Sequence, residues 1–292
     1  MGYVLVLVAA ALWGMLGPVS RFAFRDGVTP QEAAFWRAAI GGALFAVHAL
    51  VRREWRVAWR DVPAVVGFGL VGVALFFASY LRAVQTGGAA LAAVLLYTAP
   101  VWVALLSAAF LGERLAARKV FAMGTAMAGV AGIALTGGGD VHLSGAALFW
   151  GLMSGWTYAL YYLFGKRYFA RYHASTLFLY AYPVGAAALL PLVRFHPKTP
   201  AAWTAIAVLA VLPTYAAYLA YSMGLRRVEA TRAATVATLE PVVAAAGAYL
   251  VWGERLGETG YAFAGLVVVG VALMVAGDHP RTGEPVPEAP PG

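Results

Sequence analysis

Charged residues punctuate an otherwise apolar chain. Between them lie apolar stretches of roughly 20 residues, the length that crosses a bilayer's hydrocarbon as an α-helix. The pattern predicts ten such helices, at about 3–24, 32–51, 62–83, 88–111, 117–136, 144–165, 175–194, 201–223, 230–252 and 258–277. The second is the most interrupted, because Arg37 falls inside it and the next basic residue, Arg52, already closes it. From 278 to 292 the chain turns to Pro, Gly and Glu, and a disordered tail is expected there.

The pattern also repeats. Tyr80, Pro100, Gly112-Glu113-Arg114-Leu115, Gly124 and Gly129 recur as Tyr221, Pro241, Gly253-Glu254-Arg255-Leu256, Gly265 and Gly270, always at the same offset along the chain. Five predicted helices separate the copies, and an odd number inverts the second relative to the first. The expected units are a five-helix repeat at 1–137, a second at 138–277, and the tail at 278–292. Two tandem parallel copies would need an even number of helices per copy. Inverted repeats are the hardware of transporters, with a site at the repeat interface near mid-membrane. Earlier in the repeat the match is fainter: Trp13-Gly14 can be laid on Trp150-Gly151 or on Trp156.

Composition agrees with a membrane protein. The 292 residues are 62% hydrophobic and 12% charged, with mean hydropathy +0.75. A soluble domain of this size cannot hide so much apolar surface. Without cysteine, disulfides, thiolate nucleophiles and cysteine-bound metals are excluded. Residues 2–20 lack a basic leading region and read as a retained first helix, not a cleaved signal. The net charge of +8 would suggest nucleic acid in a soluble protein, but its placement gives a better account. With the N-terminus in the cytoplasm, inner loops and tail carry 14 basic residues and outer loops six. The positive-inside rule then puts both termini in the cytoplasm.

The Trp13-Gly14 start, Arg37, and the two blocks running from Pro100 or Pro241 to Gly-Glu-Arg-Leu, with Leu239-Glu240-Pro241-Val242 in the second, resemble the EamA family of the drug/metabolite transporter superfamily. The resemblance covers about 3–277. It implies an all-α membrane protein of ten helices in two inverted five-helix repeats, alternating access, and export of small metabolites from a bacterial or archaeal cell. It does not fix a substrate.

Glu240 is the sharpest single position, the only acidic residue between Arg232 and Glu254. An intramembrane carboxylate costs about 2.5–3.5 kcal/mol on insertion scales and should face the bundle interior. It is a candidate for proton coupling or for holding a substrate amine; a structural role, bonding a carbonyl freed by Pro241, weighs equally. Pro100 and Pro241 are candidate hinges, since each removes a helix hydrogen bond. Trp13, Tyr97, Trp156 and Tyr218, with Glu240, are the candidate substrate-binding residues. Tyr80, Tyr162 and Tyr221, near helix ends, are expected in the interfacial aromatic belt. Arg37 is expected to snorkel or to pair with Glu32 or Asp26, with a substrate carboxylate as the less favoured partner. Glu113-Arg114 and Glu254-Arg255 are expected to cap their own helices.

Other motifs fail. Residues 67–72 spell G-x-G-x-x-G inside a hydrophobic span with no strand before it, so dinucleotide binding is not expected. These glycines, with Gly124, Gly129, Gly265 and Gly270, are expected to permit close helix contact. There is no P-loop. His48, His142, His173, His196 and His279 lie at helix ends or in loops, so no metal and no cofactor are expected. The expected function is secondary transport of small amphipathic metabolites such as amino acids, without enzymatic activity. Expected partners are the small-molecule substrate and membrane lipids, with no nucleic acid; a homodimer is compatible. The rival is a flippase for lipids or lipid-linked substrates.

Overall fold

The computed structural model describes residues 1–137 and 141–277. The tail from 278 and the boundary at 138 lie outside them. The described chain forms ten helical rods: α1 (Gly2–Arg25), α2 (Pro30–Val51), α3 (Trp59–Gly87), α4 (Ala89–Leu111), α5 (Ala117–Thr136), α6 (Gly145–Tyr168), α7 (Ala174–Leu192), α8 (Pro200–Leu225), α9 (Ala230–Trp252) and α10 (Glu258–Ala276). Nine of these described rods are long and apolar enough to cross a bilayer. The tenth, α6, has 24 residues and more small and polar ones. Helices satisfy every backbone polar group internally, which lipid demands.

Local rules set the boundaries. Pro30 opens α2 at its first position and the Thr29 hydroxyl caps the Glu32 N–H, so the chain is a good helix former despite Arg37. Gly112 and Gly253 end α4 and α9 in the left-handed conformation, with φ of 69° and 70°.

Several rods are interrupted, and most interruptions come in pairs related by the repeat offset. α4 breaks at Tyr97-Thr98 before Pro100, and α9 breaks at Thr238-Leu239 before Pro241. α3 carries a π-helical segment at Gly69–Leu75, and α8 carries one at Val211–Ala216. α1 turns at Met15, where Pro18, lacking an N–H, leaves the Gly14 carbonyl without its usual donor.

Between helices in lipid there is no hydrophobic driving force, so close backbone approach carries the packing. α5 and α10 cross where a Cβ on Gly270 would lie 2.5 Å from the Ala126 nitrogen and one on Gly129 would lie 2.7 Å from the Phe263 carbonyl. Among the described residues, a Cβ on Gly124, Gly265 or Gly67 would meet nothing within 4 Å. Only part of the expected glycine set therefore makes contacts: Gly129, Gly270, and Gly69 against the Ala181 carbonyl. Gly72 is filled by the ring of Phe68 from its own rod.

The two halves exchange their leading helices. α1 packs on α8 and α9, with Gly2 against Val228, Gly224 against Val6, and Gly14 against the Glu240 carbonyl. α6 packs on α3 and α4, with Gly87 against Ala147 and Gly155 against the Leu95 carbonyl. Gly14 and Gly155 stand at the same offset as Pro100 and Pro241, so structure supplies the alignment of α1 with α6 that the tryptophans left open. The match is imperfect in one respect. Gly14 touches Glu240 and Val243, whereas Gly155 touches Leu95 to Thr98, whose equivalents are Val236 to Leu239. The two contacts differ by about one helical turn.

Candidate functional site

The centre of the bundle is built on the paired interruptions. Pro213 lies inside the π segment of α8 and cannot donate to the Leu209 carbonyl. The Thr214 hydroxyl donates to that carbonyl instead, at 2.8 Å. The same hydroxyl accepts from Arg37 Nε at 3.1 Å, and Gly41 leaves room for the Thr214 methyl. One proline thus fixes a threonine that fixes an arginine. Arg37 neither snorkels nor pairs as expected. Glu32 is held by Lys198 and Asp26 by Thr199. Arg37 points inward, its guanidinium 5.5 Å from the Phe77 ring centre.

Around Arg37 stands a wall of aromatic rings. Trp13, 3% exposed, meets Tyr218 edge-on at 5.3 Å and Tyr221 at 5.2 Å. Tyr161 meets Tyr218 at 5.3 Å, and Tyr182 meets it at 5.8 Å. Such edge-to-face pairs add about 0.5–1.5 kcal/mol each beyond area burial. Tyr162 and Tyr221, expected in the belt, are 1% and 0% exposed and belong to this core. Trp156 departs in the other direction. It is 36% exposed and lies on the outward stripe of α6 with Phe149 and Leu152, spaced by three and four residues. It cannot line the centre.

Glu240 opens the second half of α9, with Pro241 beside it. That place puts its half-buried carboxylate near the positive end of a half-helix dipole. The Tyr97 hydroxyl, from the matching break in α4, is a polar neighbour of this carboxylate. Among the described residues, neither Glu240 nor Arg37 takes part in an ion pair within 4.0 Å. The equivalents of Tyr97 and Glu240 in the other half are Thr238 and Ala99, so symmetric breaks carry asymmetric chemistry.

Three cavities that share lining residues lie in this region. A cleft of about 410 Å³ opens at the end carrying Arg21 and Glu254 and reaches Tyr97 and Pro241. Tyr97 also borders a gap of about 10 Å³ with Pro100, Tyr158, Tyr162 and Thr238. Tyr158 in turn borders a space of about 10 Å³ that contains Arg37, Tyr161, Tyr182 and Tyr218. Tyr97 and Tyr158 thus each line two of these spaces.

The opposite end is closed. Glu113 caps not its own helix but the start of α9, accepting from the Ala230 N–H at 2.6 Å, the Thr231 N–H at 3.1 Å and the Thr231 hydroxyl at 2.7 Å. Lys119 and Arg232 hold Glu229 at 2.6 Å each. Lys166 donates to the Leu225 and Val228 carbonyls at 2.9 and 2.7 Å. Burial pushes the Glu229 carboxyl up, but Lys119 and Arg232 outweigh it and hold the group below its ordinary range. At the cleft end Glu254 pairs with Arg21, both half exposed. The expected self-capping by either glutamate is not what forms; Gly112 and Gly253 close those helices without them.

Sequence reasoning brought Trp13, Tyr97, Tyr218, Glu240, Pro100 and Pro241 to notice, and the fold gathers them around the breaks. It missed Thr214, Tyr158 and Tyr182. Pro213, mid-helix in α8, was the available signal for Thr214.

Comparison with known proteins gives the family. The profile of the EamA-like transporter family matches residues 1–135 and again 145–276. An uncharacterized transporter of Archaeoglobus fulgidus is 28% identical over 280 residues, covering 94% of this chain and 98% of its own. A probable terminal-alkyne amino-acid exporter of Streptantibioticus cattleyicolor is 28% identical over 277 residues, covering 93% and 90%. One solved crystal structure shares the fold with a TM-score of 0.81 at 20% identity, over 94% of this chain and 96% of the other. The chain therefore belongs to the EamA-like transporter family and is a multi-pass membrane transporter.

Proposed function

We propose that this protein exports small amphipathic, amino-acid-like metabolites by alternating access around the Tyr97–Glu240 region. The carrying observation is one-sided access: a cleft reaches Tyr97 and Pro241 from the Glu254 end while Glu113 seals the other. The one-turn difference between the Gly14 and Gly155 contacts supports two copies caught in different halves of a cycle. Pro100 and Pro241 serve as the hinges, Tyr97 and Tyr218 line the path, and Trp13 backs Tyr218. Glu240 exchanges the coupling proton. The Glu113 end, rich in Lys and Arg, faces the cytoplasm with both termini in this reading, and the protein sits in a bacterial or archaeal inner membrane. The amino-acid class is supported by the relative from Streptantibioticus cattleyicolor.

The test is uptake into proteoliposomes from a pool of labelled amino acids and amphipathic metabolites, with and without a pH gradient, for wild type and Glu240→Gln. Saturable, gradient-driven uptake lost in the variant is expected. Uptake indifferent to both would leave a facilitator with a structural Glu240. A second reading is favoured by the apolar walls of the cleft, among them Val130, Ile133, Ala244 and Ala248. They suit a lipid tail, and competition by lipids but not by soluble solutes would establish a flippase.

A further inference from the structure

The link from α2 into α3, residues 52–61, is pinned to the protein on one side and bare on the other. It joins two membrane-spanning rods, so it runs at the level of the lipid headgroups. Its inner side docks on the end of α6 and the start of α7. The Tyr180 hydroxyl donates to the Trp55 carbonyl at 2.6 Å, and the Thr176 hydroxyl donates to the Glu54 carbonyl. The Tyr172 hydroxyl donates to the Asp61 carboxylate at 2.6 Å and accepts from the Ala58 N–H at 3.2 Å. Arg171 pairs with Asp61 at 3.1 Å, and Glu54 accepts from the Ser175 hydroxyl at 3.5 Å. Both acids of the link are thereby held against the protein.

The arginines are treated the opposite way. Arg53, Arg56 and Arg60 are exposed, and among the described residues their side chains have no hydrogen bond, ion pair or ring contact. Trp59, next to Arg60, is 87% exposed. Val47, Leu50 and Val51, in the last turns of α2 before the link, are exposed as well, as lipid-facing residues are. Arg53 also carries strain. It closes α2 at a φ of 57° and is the one non-glycine residue at positive φ among the described residues. Glycine takes that conformation at Gly112 and Gly253. A side chain there is disfavoured, and no side-chain contact within the described protein offsets it. A strained residue with no internal partner points to a partner outside.

We infer that this link is a seat for an anionic phospholipid. Arg53, Arg56 and Arg60 take the headgroup phosphate, whose oxygens suit guanidinium forks. Trp59 settles at the headgroup–acyl boundary, the level that tryptophan prefers. Basic clusters beside a membrane-spanning helix draw anionic lipid. A zwitterionic lipid offers the same phosphate with an ammonium that the arginines repel. A soluble anion lacks the chains that Trp59 and the end of α2 would cover. Because the link is bonded to α6 and α7, a seated lipid ties four rods together at this end. The seat needs only a chain that spans a membrane and holds whichever solute is carried.

The experiment uses purified full-length protein in neutral detergent. Thermal unfolding is followed as phosphatidylglycerol, phosphatidylcholine or inorganic phosphate is added, at low and high salt. Wild type is compared with Arg53→Gly, with Trp59→Ala, and with a link triple, Arg53→Gln, Arg56→Gln and Arg60→Gln. A control triple, Arg114→Gln, Arg118→Gln and Arg167→Gln, removes the same charge from exposed arginines at the same end. Phosphatidylglycerol should stabilise wild type saturably, at concentrations where the other two additives do not. Each link arginine should be worth roughly fivefold in half-saturating phosphatidylglycerol, so the link triple should need on the order of a hundredfold more. The control triple should stay close to wild type. High salt should shrink the difference between wild type and the link triple. Trp59→Ala should weaken the phosphatidylglycerol response. Arg53→Gly should be at least as stable as wild type without lipid, since glycine relieves the strain, yet need roughly fivefold more phosphatidylglycerol. Equal losses in the two triples would reduce the effect to net charge and overturn the seat. So would equal stabilisation of wild type by phosphatidylcholine, or no stabilisation by phosphatidylglycerol. Equal stabilisation by inorganic phosphate would make the partner a soluble anion and sink the lipid seat. Should the link triple lose stability before any lipid is added, Arg53→Gly decides, and an unchanged phosphatidylglycerol requirement in it overturns the seat.

Discussion

Glu113 and Glu254 hold the same place in the two halves, each directly after a left-handed glycine that ends a broken helix. Glu113 reaches across to the start of α9 and takes three hydrogen bonds there. The corresponding target of Glu254 is the start of α4 at Ala89, and Glu254 is not on it; it pairs with Arg21 beside an open cleft. Identical sequence blocks thus make a latch at one end and a loose surface pair at the other. Closure lies in the relation between the halves and not in either block, which is how one pair of motifs can serve both faces of a membrane.

The sharpest test of that equivalence is the α5–α10 crossing, where the halves do match. Gly129→Val and Gly270→Val should each destabilise by roughly 3 kcal/mol or more, because backbone stands where the side chain would go, while Gly124→Val and Gly265→Val should stay within about 0.5 kcal/mol. Thermal unfolding in detergent reads both, and unequal effects of Gly129 and Gly270 would break the symmetry. Next comes the latch. Glu113→Ala should cost about 2–3 kcal/mol, since charged hydrogen bonds are lost at a helix start, and Glu254→Ala less than about 1 kcal/mol, as for exposed ion pairs. The chain has no cysteine, so a single cysteine at Ala234 should label from the Glu113 end only after Glu113→Ala, whereas one at Ala244 should label in either background. Labelling at Ala234 with Glu113 intact would refute the seal.

Smaller effects sharpen the picture. Gly112→Ala and Gly253→Ala should each cost about 1 kcal/mol by forcing a side chain into left-handed backbone, and the two values should agree. Acid should weaken one end first. Glu229 is held below its ordinary carboxyl value of 4.5 by Lys119 and Arg232, so its contribution is present above that pH and is lost as the pH falls below it. The effect should be small, because the side chain is 40% exposed. Thermal unfolding in detergent should show this loss on acidification below that value, and Glu229→Gln should remove the dependence.

The ten rods and the constant repeat offset were legible because charges and prolines mark rod ends and breaks whatever surrounds them. The faces were not. Lipid is as apolar as the bundle core, so α6 carries no hydrophobic stripe to say that Trp156 looks outward and Tyr161 inward. The same blindness set Tyr162 and Tyr221 in the belt. Glu113 was misread because its partners lie 117 and 118 residues away. Arg37 was misread because the residue that turns it inward, Thr214, acts through a π segment that leaves no mark on apolar spacing.

Those π segments also bear on how the two halves stay in register. A π turn in a helix is a turn with one residue more than α geometry needs. Before the segment the halves correspond at the repeat offset, as Val65 and Ile206 do, both buried, and after it they correspond at the same offset, as Ser79 and Ala220 do. Had either half gained its extra residue alone, the offset would change by one across the segment. The two halves therefore carry the extra residue at matching places, and the repeat offset stays constant through the segments although one holds Pro213 and the other Gly72.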